Sequence, residues 1–141
     1  MNDEVREFVS AGRLREAAAV LGHPFEVEGM VVEGDRRGKL LGFPTANLDV
    51  AADQVLPPRG IYVGSALDRR AAVSIGVNPH YGGTRLRVEA HLLDFDGDLY
   101  GQRLVVELWE RLRDERAFGS EAELVEAIAA DVAAARNSVR P

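Results

Sequence analysis

Two oxygen-bearing side chains, Thr45 and Asn47, are separated by one residue in the segment "GKLLGFPTANL" (38–48). Pro44 fixes its own φ and biases Phe43 towards extended geometry, so we expect an extended segment here. Side chains two residues apart then project from the same face. A hydroxyl and an amide oxygen side by side are hard, neutral ligands that can help hold a Mg²⁺ ion carried by nucleotide phosphates. Local hydrogen bonds from these side chains to the backbone are the commoner alternative, which the pattern leaves open.

A glycine-rich, basic stretch, "GDRRGKLLG" (34–42), overlaps that segment. Gly34, Gly38 and Gly42 stand beside Lys39 and two arginines. A Walker phosphate loop is excluded, because it needs a Gly five positions before its Gly-Lys pair and a Ser or Thr directly after the Lys. Bare backbone next to cations can still approach and cradle phosphates. A plain loop between two strands is the alternative.

The segment "RVEAHLLDF" (87–95) carries a carboxylate on what is predicted to be a strand. Arg87, Glu89 and His91 would share one face of that strand. A carboxylate in this setting can accept the proton of a substrate hydroxyl that attacks phosphorus. The alternative is an exposed glutamate paired with Arg87 or with a cation on the next strand. We expect His91 to orient other groups or to be structural.

The loop "LRDERAF" (112–118) combines cations with an aromatic ring just before the last predicted helix. Arg113, Arg116 and Phe118 could stack on a flat, electron-poor ring system and hydrogen-bond to it. The alternative is a solvated charged loop in which Phe118 packs as a hydrophobic staple of the helix.

The elements that must position these residues are mostly strands. Segments rich in Val, Ile, Leu or aromatic residues follow an alternating segment that starts at Phe25, and turn-forming residues separate them. The candidate strands lie at 60–67, 71–77, 86–95 and 102–112. Residues 3–21 read as two helical pieces, and a capping box formed by Ser120 and Glu123 starts the last helix. Without βαβ alternation, this order favours a small antiparallel barrel with a helix packed on it.

The acidic segment "DFDGD" (94–98) is interpreted as a turn. Asp96 and Gly97 are a strong signal for a tight hairpin between two strands, because Gly supplies the positive φ that such turns require. A calcium-binding EF-hand loop starting at Asp94 is excluded, since Leu99 and Val105 occupy the positions that need Gly and Glu.

Length and composition predict one ordinary globular domain. The chain has 141 residues, of which 46% are hydrophobic and 28% charged, and a formal net charge of −6. The negative charge argues against binding to nucleic acid or to an anionic membrane. The absence of cysteine excludes disulfides and thiolate metal sites. No apolar run is long enough to span a bilayer, and no signal peptide is recognised, so we expect a cytoplasmic protein.

Taken in order, the motifs resemble the riboflavin kinase family, the ATP-dependent enzymes that make FMN. "GKLLGFPTANL", "LPPRGIYVG", "SIGVNPHYGG", "RVEAHLLDFDGDLYGQRL" and "LRDERAF" all resemble family segments. The resemblance covers about residues 21–136. It implies a mainly β fold, a six-stranded antiparallel Greek-key barrel with a C-terminal helix, here preceded by a short N-terminal helical segment.

The resemblance also implies roles for individual residues. Glu89 is the expected catalytic base, acting on the 5′-hydroxyl of the ribityl chain of riboflavin. Thr45 and Asn47 are the expected ligands of the Mg²⁺ ion that accompanies ATP. The residues expected to bind the nucleotide are Gly34, Gly38, Lys39, Gly42, Thr45, Asn47, Asp94 and Tyr100. Those expected to bind the flavin are Arg113, Arg116 and Phe118. The implied partners are riboflavin, FMN, ATP and ADP, with no obligate protein partner.

The N-terminal residues resemble the linker helix that precedes the kinase module of bifunctional bacterial FAD synthetases. We therefore divide the chain into a helical segment, 1–22, and a barrel domain, 23–141. The chain is then either a monofunctional kinase or an excised module. His80 and Tyr81 stand where bacterial members commonly have Thr and Phe, which leaves the fine substrate selectivity open. A non-catalytic flavin- or nucleotide-binding barrel is the alternative function.

Overall fold

A computed structural model describes residues 1–33, 44–77 and 86–141 of the chain. In chain order, the elements in these ranges are α1 (Asp3–Ser10), α2 (Leu14–Leu21), β1 (Phe25–Val32), β2 (Ala46–Val50), β3 (Gly60–Ala66), β4 (Arg69–Val77), β5 (Leu86–Leu92), β6 (Arg103–Arg113) and α3 (Glu121–Asn137). Among them, no helix has both the length and the apolar composition that crossing a bilayer would take.

The strands close into an antiparallel barrel in the order β1-β2-β5-β4-β3-β6. Each of these strands therefore has two hydrogen-bonded neighbours, so within the described ranges the barrel exposes no unpaired sheet edge. Strand β5, which carries Glu89, lies between β2, which carries Asn47, and β4. The predicted six-stranded antiparallel barrel with a C-terminal helix is confirmed.

Alternation of side chains along the strands separates the barrel interior from its outer face. β1 alternates between buried and exposed residues along its whole length, as a strand with one face in a core should. The interior contains a row of fully buried aliphatic side chains, namely Val27, Val73, Ile75, Val88 and Val106. Asn47 and Glu89 lie one position out of phase with these residues and so belong to the outer face.

The two predicted N-terminal helical pieces are α1 and α2, and they share the core of the barrel. Asn2 caps α1, its Oδ1 accepting the N–H of Val5 at 2.8 Å. Gly22 ends α2 in the left-handed conformation, with φ 84°. Val5 and Leu14 are fully buried in the same cluster as the strand residues. The helical segment is therefore packed on the barrel, while a domain boundary at residue 22 stays a prediction.

Helix α3 begins at the predicted capping residue, Ser120. The Oγ of Ser120 accepts the N–H of Glu123 at 3.2 Å, and the Glu123 carboxylate accepts the N–H of Gly119 at 2.9 Å. Both hydrogen bonds satisfy donors at the helix start. The helix packs on the barrel through a cluster that contains Ala135 and Trp109.

The hairpin predicted at Asp96 and Gly97 is wrong. β5 and β6, which flank these residues, are not neighbours in the barrel. Positive φ falls on Asp94 instead, and the tight turn with two positive-φ residues joins β3 to β4 at Leu67 and Asp68. An Asp-Gly pair permits a hairpin but does not impose one, and here the pairing required by barrel closure decides the path of the chain.

A carboxylate on β6, Glu107, joins three parts of the chain. Its Oε1 accepts hydrogen bonds at 2.9 Å from Ser65 Oγ, Trp109 Nε1 and Arg140 Nε. Its Oε2 accepts a further bond from Arg140 Nη2 at 2.9 Å. Arg140 is the main reason that the pKa of Glu107 falls from 4.5 to about 2.

The lowered pKa predicts a defined loss of stability in acid. Because the folded-state pKa lies below the unfolded value, these contacts stabilise fully above pH 4.5 and are lost as the pH falls towards 2. Between about pH 6 and pH 3, we expect the wild type to lose about 1–2 kcal/mol more unfolding free energy than Glu107→Gln, allowing for the exposure of Arg140. Urea titrations at both pH values measure this difference. Glu110→Gln, an exposed carboxylate on the same strand, should keep the wild-type pH dependence, and equal pH dependence in wild type and Glu107→Gln would contradict the assignment.

Candidate active site

Asn47 and Glu89 face each other across neighbouring strands. In the pairing of β2 with β5, Asn47 is the direct partner of Glu89, and in the pairing of β4 with β5, Glu89 is the partner of Ser74. Direct cross-strand partners have their side chains on the same face, about 5 Å apart at Cβ. Asn47 is only 9% exposed, although it lies on the outer face of the barrel. The structure thus brings together two residues that the sequence singled out in separate motifs.

The carboxylate of Glu89 is held by the neighbouring cation on its own strand. Arg87 Nε lies 2.8 Å from Glu89 Oε1, and the Glu89 side chain is 18% exposed. The ion pair named as the structural alternative is therefore present. It does not exclude catalysis, because a base also has to be held in position.

His91 fixes the start of the segment that carries Thr45 and Asn47. Its Nδ1 lies 2.8 Å from the carbonyl oxygen of Pro44, which can only accept a hydrogen bond, so Nδ1 donates. Thr45 follows directly and is half-buried. This contact agrees with the orienting role that the sequence predicts for His91.

A cleft of about 570 Å³ lies beside this segment. Its described lining includes Thr45 and Asn47 together with Phe95 and Tyr100. Tyr100 is 60% exposed, so its ring is available to a ligand. A lining with both polar oxygens and aromatic rings suits a ligand that has both a charged and a flat part.

The donor set of the cleft fits a metal ion that arrives already bound to phosphates. Asn47 Oδ1 is buried and accepts no hydrogen bond from the residues that the structure describes, and such an atom is costly unless a ligand satisfies it. Within the same residues, no three His, Asp or Glu side chains form a group that could bind a cation alone. A hard ion such as Mg²⁺ keeps phosphate and water ligands and takes only a few from the protein.

Several predicted contacts fall outside the described residues. These are the nucleotide-binding candidates Gly34, Gly38, Lys39 and Gly42, together with the pair His80 and Tyr81. Their roles stay predictions.

Asp94 is not among the residues that line the cleft. Its carboxylate is paired with Arg136 on α3, with Nη1–Oδ2 at 2.8 Å and Nη2–Oδ1 at 3.1 Å. This hydrogen-bonded pair holds the pKa of Asp94 below its ordinary value. The structure therefore brings Tyr100 to the cleft but not the Asp94 side chain, and a nucleotide contact from Asp94 stays a prediction.

The three predicted flavin residues lie together. The ring of Phe118 is 5.8 Å from the guanidinium carbon of Arg113 and 4.9 Å from that of Arg116. Both distances are within the range of cation–π attraction. Phe118 therefore lies near two cations, and its contact with a flavin stays a prediction.

Glu115, in the same loop, is a candidate site residue that the sequence analysis did not select. A Cβ on Gly76 would lie 2.5 Å from Glu115 Oε1, so the carboxylate rests directly on that glycine. Gly76 is the strand partner of Arg87, which is paired with Glu89. Arg59 Nη2 holds Glu115 at 3.1 Å. The only sequence signal was a glycine inside a strand, which often marks a close approach of other groups.

Comparison with known proteins gives the family of this chain. The family model of riboflavin kinase, Flavokinase, matches residues 21–139. The bifunctional riboflavin kinase/FMN adenylyltransferase of Escherichia coli K12 is 39% identical over 137 residues, which cover 94% of this chain and 44% of that protein. The chain thus spans less than half the length of the curated relatives it matches.

Two solved structures have a similar fold over most of this chain. The riboflavin kinase of Trypanosoma brucei has a TM-score of 0.64 and 28% identity, covering 82% of this chain and 79% of that one. A crystal structure from Streptococcus pneumoniae, named as a macrolide-efflux protein, has a TM-score of 0.91 and 34% identity, covering 99% of this chain and 47% of that one. The matched family model and the relatives together show that this chain belongs to the riboflavin kinase family.

Proposed function

We propose that this chain transfers the γ-phosphoryl group of ATP to the 5′-hydroxyl of riboflavin, giving FMN and ADP. The observation that carries the proposal is the pairing of Glu89 with Asn47 next to the cleft that Thr45 and Asn47 line. Membership in the riboflavin kinase family supplies the identity of the two substrates. The adenylyltransferase activity in the names of longer relatives stays with those proteins.

In the proposed reaction, Glu89 is the general base. Its carboxylate accepts the proton of the 5′-hydroxyl while that oxygen attacks the γ-phosphorus. A new P–O bond forms, and the bond from the γ-phosphorus to the bridging oxygen breaks, so the electron pair leaves with ADP. Arg87, 2.8 Å away, restrains the carboxylate, and His91 holds the Pro44 carbonyl that precedes the ligand pair. Most of the acceleration would come from positioning and from neutralising charge.

We propose Mg²⁺ as the cofactor, with Thr45 and Asn47 as its protein ligands. The buried Asn47 Oδ1, which accepts no hydrogen bond within the described ranges, supports this assignment. When bound, the ion neutralises charge on the phosphates of the nucleotide. The cytoplasmic location expected from the sequence stays a prediction.

Product analysis tests the proposed activity. Incubation with riboflavin and Mg-ATP, followed by chromatography, should yield FMN. The matched control substrate is 5′-deoxyriboflavin, which lacks the attacking hydroxyl and should give no phosphorylated flavin. Riboflavin that binds and is recovered unchanged would support the alternative, a non-catalytic flavin- or nucleotide-binding barrel.

The metal assignment predicts that Asn47→Ala weakens Mg-ATP binding but not riboflavin binding. We expect the Kd for Mg-ATP to rise roughly tenfold, the effect of losing one good polar contact to a charged ligand. Calorimetric titrations of each substrate measure this difference. Asn137→Ala is the control, because among the described residues that amide donates only to Ala133 O, at the end of α3. An unchanged Mg-ATP affinity, or an equal loss for both substrates, would refute the assignment.

A further inference from the structure

Helix α3 carries a buried carboxylate, Asp131, that none of the sequence motifs explains. Asp131 is only 7% exposed. Arg113 Nε lies 3.0 Å from its Oδ1, and Arg113 Nη2 lies 2.8 Å from its Oδ2. Such a bidentate pair fixes both groups in position and orientation, and a buried carboxylate requires a partner of this kind. The pair clamps the end of β6, where Arg113 lies, onto α3.

The clamp extends into the loop that carries the candidate flavin residues. Arg113 Nη1 donates to the carbonyl oxygen of Asp114 at 3.0 Å, and the same guanidinium lies 5.8 Å from the ring of Phe118. Within the described ranges, these contacts use three of the five N–H groups of Arg113. Asp131 is therefore connected to the loop of the predicted flavin residues through Arg113.

A second bidentate pair connects the same helix to the loop between β5 and β6, which contains Asp94 and Tyr100. Arg136 binds both carboxylate oxygens of Asp94, at 2.8 and 3.1 Å. Asp94 directly precedes Phe95, which lines the cleft together with Tyr100. On an ideal helix, five residues separate Asp131 from Arg136 by about 7.5 Å along the axis. One short stretch of α3 thus holds both loops.

We propose that α3 is the common support of the two substrate loops, with Asp131 positioning the flavin side through Arg113 and Arg136 positioning the nucleotide side through Asp94. Both are positioning residues, because each acts through another side chain. The proposal rests on the proposed kinase activity for the identity of the ligands. The proposal predicts that breaking one ion pair changes the KM and Kd of one substrate and leaves those of the other unchanged. A purely structural role would change the constants of both substrates alike.

Two variants test the division of roles. Asp131→Asn keeps the shape of the side chain and removes its charge, so we expect the KM and the Kd for riboflavin to rise about tenfold. The KM for ATP should stay within about twofold. Arg136→Gln should give the opposite result, with the KM for ATP raised about two- to fivefold, a smaller effect because this pair is exposed. Its constants for riboflavin should stay within about twofold.

Arg103→Gln is the matched control. It removes an exposed ion pair with Glu28, 3.1 Å long, between β6 and β1. Neither residue is among those described as lining the cleft, so the substitution should change the constants of neither substrate. If Asp131→Asn does not fold, Arg113→Lys keeps the charge but can form only one of the two parallel bonds. It should raise the riboflavin constants in the same way.

The proposal is overturned if either variant changes the constants of both substrates equally, or if Asp131→Asn and Arg113→Lys leave riboflavin binding unchanged. Riboflavin binding is measured by quenching of flavin fluorescence, which requires no turnover. A wild-type protein that binds riboflavin but forms no FMN would therefore contradict the proposed function, while the binding constants would still decide the role of α3.

Discussion

Glu89→Gln is expected to lower kcat by roughly 10²–10⁴-fold while riboflavin and Mg-ATP still bind. Glutamine keeps the size of the side chain and one of its two acceptor oxygens, but it cannot accept the proton of the attacking hydroxyl. Glu89 lies opposite Asn47 on one side and Ser74 on the other. The substitution should therefore disturb the strands little.

Steady-state kinetics together with calorimetric binding separate the two effects. Glu110→Gln is the matched control, since Glu110 lies on β6 and its ion pair with Arg15, 3.3 Å long, is exposed. Its kcat should stay within about twofold of wild type. Near-normal turnover in a folded Glu89→Gln protein would leave Glu89 with the structural role of pairing with Arg87.

Gly64→Ala is expected to destabilise the fold by about 3–5 kcal/mol, at the upper end of overpacking effects. A Cβ at this position would lie 1.7 Å from the carbonyl oxygen of Glu107 and 2.7 Å from its carbonyl carbon. Both are backbone atoms of β6, so no side chain can rotate away. β3 would have to separate from β6, which opens the barrel at one of its closing pairs.

Urea unfolding measures this free energy. Gly119→Ala is the control, because among the described residues its added Cβ would meet only the carboxylate end of Glu123, at 3.2 Å. That side chain can move. We expect the control to lose less than about 1 kcal/mol. A Gly64→Ala protein as stable as the control would show that β3 and β6 are not packed as described.

The strands could be predicted from sequence because the alternation of apolar and polar residues is a local pattern. The order in which the strands pair in the barrel could not be predicted in this way. Alternation from Phe25 onwards marks β1 without reference to any other segment. The placement of β5 between β2 and β4 depends on residues far apart in the chain. The pair Asp96 and Gly97 misled for this reason, since turn chemistry is local and barrel closure is not.

Some residues of the candidate site could likewise be predicted from the sequence, and others could not. Thr45, Asn47 and Glu89 could be selected from residue type and spacing, and the resemblance to one family joined them into one site. Asp131 and Glu115 could not be found, because what makes them notable is a distant partner, Arg113 for one and the surface over Gly76 for the other.

Following ADP and FMN in the same time course, with enzyme in excess over riboflavin, tests directly whether this chain transfers phosphate to riboflavin. We expect one FMN to appear for each ADP at equal rates, and Glu89→Gln to slow the formation of both products by the same factor. ADP formed without FMN, or bound riboflavin with neither product, would contradict phosphoryl transfer to riboflavin by this chain.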